Sequence, residues 1–317
     1  MADPVEYRNG IGRRDLQRVR RRFLGVHRER LQRIEAELRP GQRRFLTLLP
    51  LLFHINHPML PGFVTTQTPA GIADFNPSQR QLREAKRISR SFAYRKRARR
   101  RYHIQGLYLM GSVGSIAHNT GSDLDIWLCH DPRLSPRARS TLRQKVDGIE
   151  KWATEQGFEA HIYLVDAEAF RRGELGQLSQ ENSGTTQHRL LLEEFYRTGV
   201  LLAGRYPLWW LVPPEAEHRY REYAAMLLHK RFVNPLDCID FGGLEQLPAD
   251  EFFGAAHWQL FKGIGSPYKS ILKLLLIEAY SQDYPRIRWL CQEAKSAIYA
   301  GHCDLDELDP YVLMYRR

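Results

Sequence analysis

Asp123 and Asp125, one residue apart at the head of an apolar run, are the side chains best placed to do chemistry in this sequence. Gly111 and Ser112 close the apolar run before them, so Gly111 to Trp127 reads GSVGSIAHNTGSDLDIW. Glycine lets backbone amides approach a phosphate closely, and serine adds a hydroxyl. If the second run is a strand, Asp123, Asp125 and Trp127 share one face, and Leu124, Ile126 and Leu128 the other. At a rise of about 3.3 Å per residue the two carboxylates stand about 7 Å apart along the strand, a spacing that can grip divalent cations. Metal pairs serve in-line displacement at phosphorus by stabilising the attacking and the leaving oxygen. The pattern predicts nucleotidyl chemistry on a nucleoside triphosphate, with two Mg²⁺ ions as cofactor.

In that reading Asp123 and Asp125 are catalytic metal ligands, and Gly111, Ser112 and Ser122 face the triphosphate. Trp127 stacks on a base or walls off the site. A third acid is expected to complete the metal set and help activate the attacking hydroxyl. Glu159 is favoured and Asp166 is the alternative, although either also reads as an ordinary surface or helix-capping acid. Asp-x-Asp alone is common and mostly marks surface charge; the Gly-Ser turn ahead of it and the flanking apolar runs give this copy its meaning.

The elements around these residues follow from periodicity. Leu107 to Met110, Ser122 to Cys129 and Phe158 to Val165 read as strands. Ser112 to Asn119 reads as a turn and short helix. Ser135-Pro136 opens a helix with Leu142, Val146, Ile149 and Trp152 on one face, stopped by Gly157. Upstream, Gln17 to Leu38 and Arg44 to Ile55 are helical, and the prolines and glycine of His57 to Gly62 impose a fixed loop. Beyond Arg172 the chain is rich in Gly, Ser and Gln up to Thr186, a loop. Helices are then expected over Gln187 to Leu202, Glu217 to Arg231 and Pro267 to Tyr280. The fold class is α+β: an N-terminal helical arm (1–75), a small sheet core with flanking helices (76–182) and a mostly helical domain (183–317).

Two later stretches bear on the site. Ser183 to His188, SGTTQH, opens a helix whose terminal amides suit a phosphate, with Thr186 and His188 as candidates; a plain N-cap and a packed histidine is the equal alternative. Ser266 to Lys273, SPYKSILK, places Lys269 and Lys273 four apart, facing either the triphosphate or solvent.

Bulk composition narrows the class. The 317 residues carry a net charge of +11 and an isoelectric point near 9.6, so the surface attracts polyanions. The basic run 83–101, ending YRKRARRR, reads as a solvated helix or a polyanion site; it leaves nucleic acid open as a less favoured partner. Cys129, Cys238, Cys291 and Cys303 show no paired spacing, which fits a reducing compartment. The longest apolar stretch, Leu46 to Ile55, is too short to span a bilayer and holds Pro50 and His54. A soluble, cytoplasmic protein with no membrane span is expected.

The motif is similar to that of the DNA polymerase beta-type nucleotidyltransferase superfamily. YLMGSVGS and GSDLDIWLCH resemble the N-terminal catalytic region of bacterial class I adenylate cyclases more closely still. The resemblance continues through LLPLLFHINHPMLPGF, SGTTQHRLLLEEFYRTGVLLAG, FFGAAHWQLFKGIGSPYKSILKLLLIEAYSQDYP and LDPYVLM, covering the chain from about residue 44 onward. It implies conversion of ATP to 3′,5′-cyclic AMP and pyrophosphate, with Asp123 and Asp125 on Mg²⁺ and Ser112 and Ser122 on phosphate. Members of that family continue into further catalytic and regulatory regions, through which regulatory protein contacts are expected. Two other readings use the same residues: nucleotide transfer to an RNA, protein or small-molecule acceptor, or nucleotide binding without turnover.

Overall fold

The computed structural model describes residues 11–96, 101–119, 121–174, 187–244 and 247–317. Helix α1 (Arg13–Glu37) buries Leu16, Val19, Phe23, Val26, Arg30 and Ile34, a three-and-four spacing that makes one face. Pro40 ends that run, because the residue before a proline is driven to extended backbone, and itself opens α2 (Pro40–His54). After α3 (Gln79–Ile88) come β1 (Ile104–Leu109), β2 (Leu124–His130), α4 (Pro136–Glu155) and β3 (Ala160–Val165). Ser135 Oγ caps α4 by accepting the Ala138 amide at 3.2 Å, and Gly157 follows its end with φ +85°. Helix α5 (Ala167–Arg171), α6 (His188–Thr198) and β4 (Val200–Gly204) follow. Apart from a two-stranded parallel sheet of β5 (Tyr206–Pro207) and β6 (Cys238–Ile239), the rest is mostly helical: α7 (Tyr220–His229), α8 (Asp250–Lys262), α9 (Pro267–Asp283), α10 (Leu290–Ala300) and α11 (Pro310–Arg316).

The fold is α+β. Its four-stranded sheet has the order β3-β2-β1-β4, with β2 parallel to β3 and the other pairs antiparallel. Alternation divides the core into two halves. Leu107, Leu109, Leu124, Ile126 and Leu128 pack against α2 and α4, while Tyr108, Met110, Trp127 and Cys129 face α6 and the later helices. Asp125 falls on the second face by register, paired with His161 of β3.

Three expectations are corrected. The helix expected over Gln187 to Leu202 ends at Thr198, and Val200–Gly204 forms the fourth strand instead. Gly199 sits so near the helix that a Cβ there would meet the Phe195 carbonyl at 2.5 Å. Ser112 to Asn119 forms consecutive turns rather than a short helix. Of the helix expected over Glu217 to Arg231, the first part is a 3-10 turn over Pro214–Arg219. Within the basic run, residues 97–100 lie outside the described residues. Among the described residues no helix is long and apolar enough to cross a membrane.

Candidate active site

The site forms where β1 ends and β2 begins. Gly111 turns the chain with φ +76°, a left-handed conformation that favours glycine. A Cβ there would meet only Asp125 Oδ2, at 3.8 Å, so the demand is conformational rather than spatial. The Gly111 amide donates to Thr198 Oγ1 at 3.3 Å, which ties the turn to the α6–β4 junction. The following loop is fixed from both ends of the chain. Arg30 Nη2 of α1 donates to the Val113 carbonyl at 3.1 Å, and the Ile116 amide donates to Asp309 Oδ2 at 2.8 Å.

Lys269, in the first turn of α9, completes the motif. Its Nζ donates to Ser112 Oγ and to Ser122 Oγ, both at 3.1 Å. Partial burial, then Lys273, lowers the Lys269 ammonium below its ordinary value, while Asp123 opposes the shift. Ser112, Ser122, Asp123 and Lys269 therefore form one polar cluster, with Asp125 beside it on β2. Asp123 is exposed and Asp125 half-buried. These are hard oxygen donors next to hydroxyls and an ammonium, a donor set that suits Mg²⁺ held jointly by carboxylates and substrate phosphates.

The remaining candidates divide: Trp127 and Lys273 line a cavity beside Asp125, and Glu159, Asp166 and His188 lie outside that lining. Glu159 lies just before β3, its carbonyl accepting the Leu124 amide at 2.8 Å. Its side chain is 72% exposed and lies 3.7 Å from His161 Nε2, and no group of three metal-type ligands forms among the described residues. Among the described residues Asp123 and Asp125 stand on β2 with no third acid joining them in a metal-type group. Asp166 caps α5, accepting from the Glu168 and Ala169 amides. Trp127 is buried and stacked on Phe195, ring centroids 4.7 Å apart, so it is a wall of the site with one face already covered. His188 is buried at the start of α6 against Phe170, the packed alternative. Thr186 lies outside the described residues. Lys273 is held by Glu194 at 2.6 Å.

Beside Asp125 a cavity opens between the sheet, α6, α8 and α9. Sequence reasoning missed its polar lining. Arg197 Nε donates to Glu193 Oε1 at 2.9 Å, and Tyr280 Oη donates to the same oxygen at 3.0 Å. Burial alone would raise the Glu194 carboxyl, but Lys273 and Arg197 override it and hold it at about 2. The signal in the sequence was Glu193, Glu194 and Arg197 at helical spacing directly after the apolar run Leu190 to Leu192.

The fold and this cluster define a polar site built on paired carboxylates at one end of the sheet's two central strands, and the comparisons give it a family. The adenylate cyclase N-terminal domain model matches residues 15–210, and the class-I adenylate cyclase second-domain model matches residues 247–317. The chain belongs to the class-I adenylate cyclase family. It is 38% identical over 304 residues to the adenylate cyclase of Escherichia coli (strain K12), and 39% identical over 304 residues to that of Yersinia pestis. Both alignments cover 95% of this chain and 36% of the relative, so the chain spans about a third of the length of the curated relatives it matches.

Proposed function

We propose that this chain carries the ATP-cyclising site of an adenylate cyclase. The observation that carries the reading is the Lys269 ammonium bridging Ser112 and Ser122 beside Asp123, because it brings α9 onto a motif about 150 residues earlier. Three donors converge where phosphate oxygens would be received, and a charge-assisted hydrogen bond to such an oxygen is the strong kind. Asp123 and Asp125 would hold Mg²⁺, which when bound supplies Lewis-acid neutralisation of charge on the phosphates. The reaction forms a bond from ribose O3′ to the α-phosphorus and breaks the α–β anhydride. Pyrophosphate leaves and the hydroxyl gives up its proton. Because nucleophile and electrophile belong to one molecule, the protein's task is to fold the nucleotide and hold it there. Lys269 and the serines fix the phosphate end, and Trp127 keeps water from the floor.

Chromatography of the products from ATP and Mg²⁺ tests the proposal. Cyclic AMP with equimolar pyrophosphate is expected; AMP attached to an added RNA or protein, with no cyclic product, would replace cyclisation with transfer.

A further inference from the structure

The polar groups around the cavity beside Asp125 are unevenly satisfied. Arg197 is paired with Glu193 and Lys273 with Glu194, so these charges are balanced within its lining. Lys269 lies outside it, on the serine cluster. Leu190, Leu191, Trp258, Leu276 and Ile277 supply apolar wall. A locally neutral, partly apolar cleft next to a phosphate-receiving cluster suits a flat heterocycle better than a polyphosphate.

Gln259 stands in this lining, on α8. The residue is 8% exposed, and its carboxamide, open to the cavity rather than sealed in the core, makes no hydrogen bond among the described residues. A carboxamide that faces a cleft with no protein partner keeps both its acceptor and its donors for whatever enters the cleft. Arg197, which lines the same cavity, has its Nη1 buried without an acceptor among the described residues and offers a further donor.

We propose that this cavity seats the adenine of ATP and that Gln259 reads the base, an inference that rests on the ATP reading above. A carboxamide presents one acceptor beside N–H donors. Adenine presents its N6 amino donor beside the N7 acceptor, and glutamine pairs with that edge in two bonds. On that edge guanine and hypoxanthine present two acceptors, O6 and N7, so in either orientation of the carboxamide its oxygen faces an acceptor. Gln259 is therefore a specificity-determining residue.

Titration calorimetry with ATP and ITP in Mg²⁺ buffer tests this on the wild-type chain and on Gln259→Met, a volume-conserving change that removes both polar groups. The wild type is expected to favour ATP by about ten- to hundredfold, the discrimination typical of one two-bond pairing. Gln259→Met is expected to bring the ratio close to one. Equal binding of ATP and ITP by the wild type overturns the assignment without any variant. So does a Gln259→Met chain that binds and keeps the wild-type ratio. A wild type that binds neither nucleotide overturns the ATP reading itself, and the base assignment with it.

Discussion

Lys269 makes two hydrogen bonds to serine hydroxyls that a substrate phosphate would share. Lys269→Met is therefore expected to raise KM for ATP by about ten- to hundredfold, since a hydrogen bond involving a charged group contributes roughly 1.5–3 kcal/mol. Steady-state kinetics checks this; an unchanged KM would remove Lys269 from the phosphate site. The residues legible in the sequence were those whose meaning is local: Asp123, Asp125, Ser112 and Ser122 lie within one turn-and-strand motif. Lys269 was half legible, because its spacing gave a helix face without saying what that face meets. Thr198 and Gln259 carried no signal at all. A polar residue in a helix acquires a role only from what folding brings opposite it, and here those partners come from distant segments.

Among the elements, α1 is tied to β4 through a histidine. The Leu201 amide donates to His27 Nδ1 at 2.9 Å. Burial, reinforced by Arg30, pushes the His27 pKa down to about 3 from an ordinary 6.5. The unfolded chain thus binds this proton more readily than the folded one between those values. The stability it gives is present above about pH 6.5 and is lost as pH falls towards 3. Thermal melts across this range should show a steeper acid loss in the wild type than in His27→Gln; parallel profiles would contradict the link. A second tie joins α10 to the segment before α7. Lys295 Nζ donates to Glu217 Oε2 at 3.1 Å, while Glu217 Oε1 accepts from Trp209 Nε1 and the Leu244 amide, each at 3.0 Å. Glu217→Ala leaves a fully buried ammonium unpaired, and denaturant unfolding should register a loss of about 3–5 kcal/mol. A loss below about 1 kcal/mol would mean the pair is not desolvated as described. Strand and helix types were mostly legible, since alternation and three-and-four spacing are strong signals. The helix boundary at Gly199 was not, because apolar residues continue across it and only the tertiary demand for a sheet partner to β1 ends the helix.

For the whole molecule, the loop after Gly111 is held between the first helix and the last. Arg30 of α1 reaches the Val113 carbonyl, and Asp309, at the N-cap of α11, takes the Ile116 amide and those of Tyr311 and Val312. Arg33 pairs with Asp306 at 2.7 Å and closes the ring. Asp309→Ala should cost roughly 1.5–3 kcal/mol of stability and lower nucleotide affinity together, because one carboxylate serves the helix cap and the loop. Calorimetric unfolding and ATP titration on the same preparation check both. A stability loss with unchanged affinity would show that the loop does not depend on the clamp. The central claim, that the carboxylates at the head of β2 turn over ATP, is met most directly by cyclic AMP formation from labelled ATP and Mg²⁺. Wild type and Asp125→Asn should be compared side by side, with folding of the variant verified. Cyclic product from the wild type and about a hundred- to thousandfold less from the variant is the result expected for loss of one of a site's main electrostatic groups; equal product from both, or none from a wild-type chain that binds ATP, would contradict it.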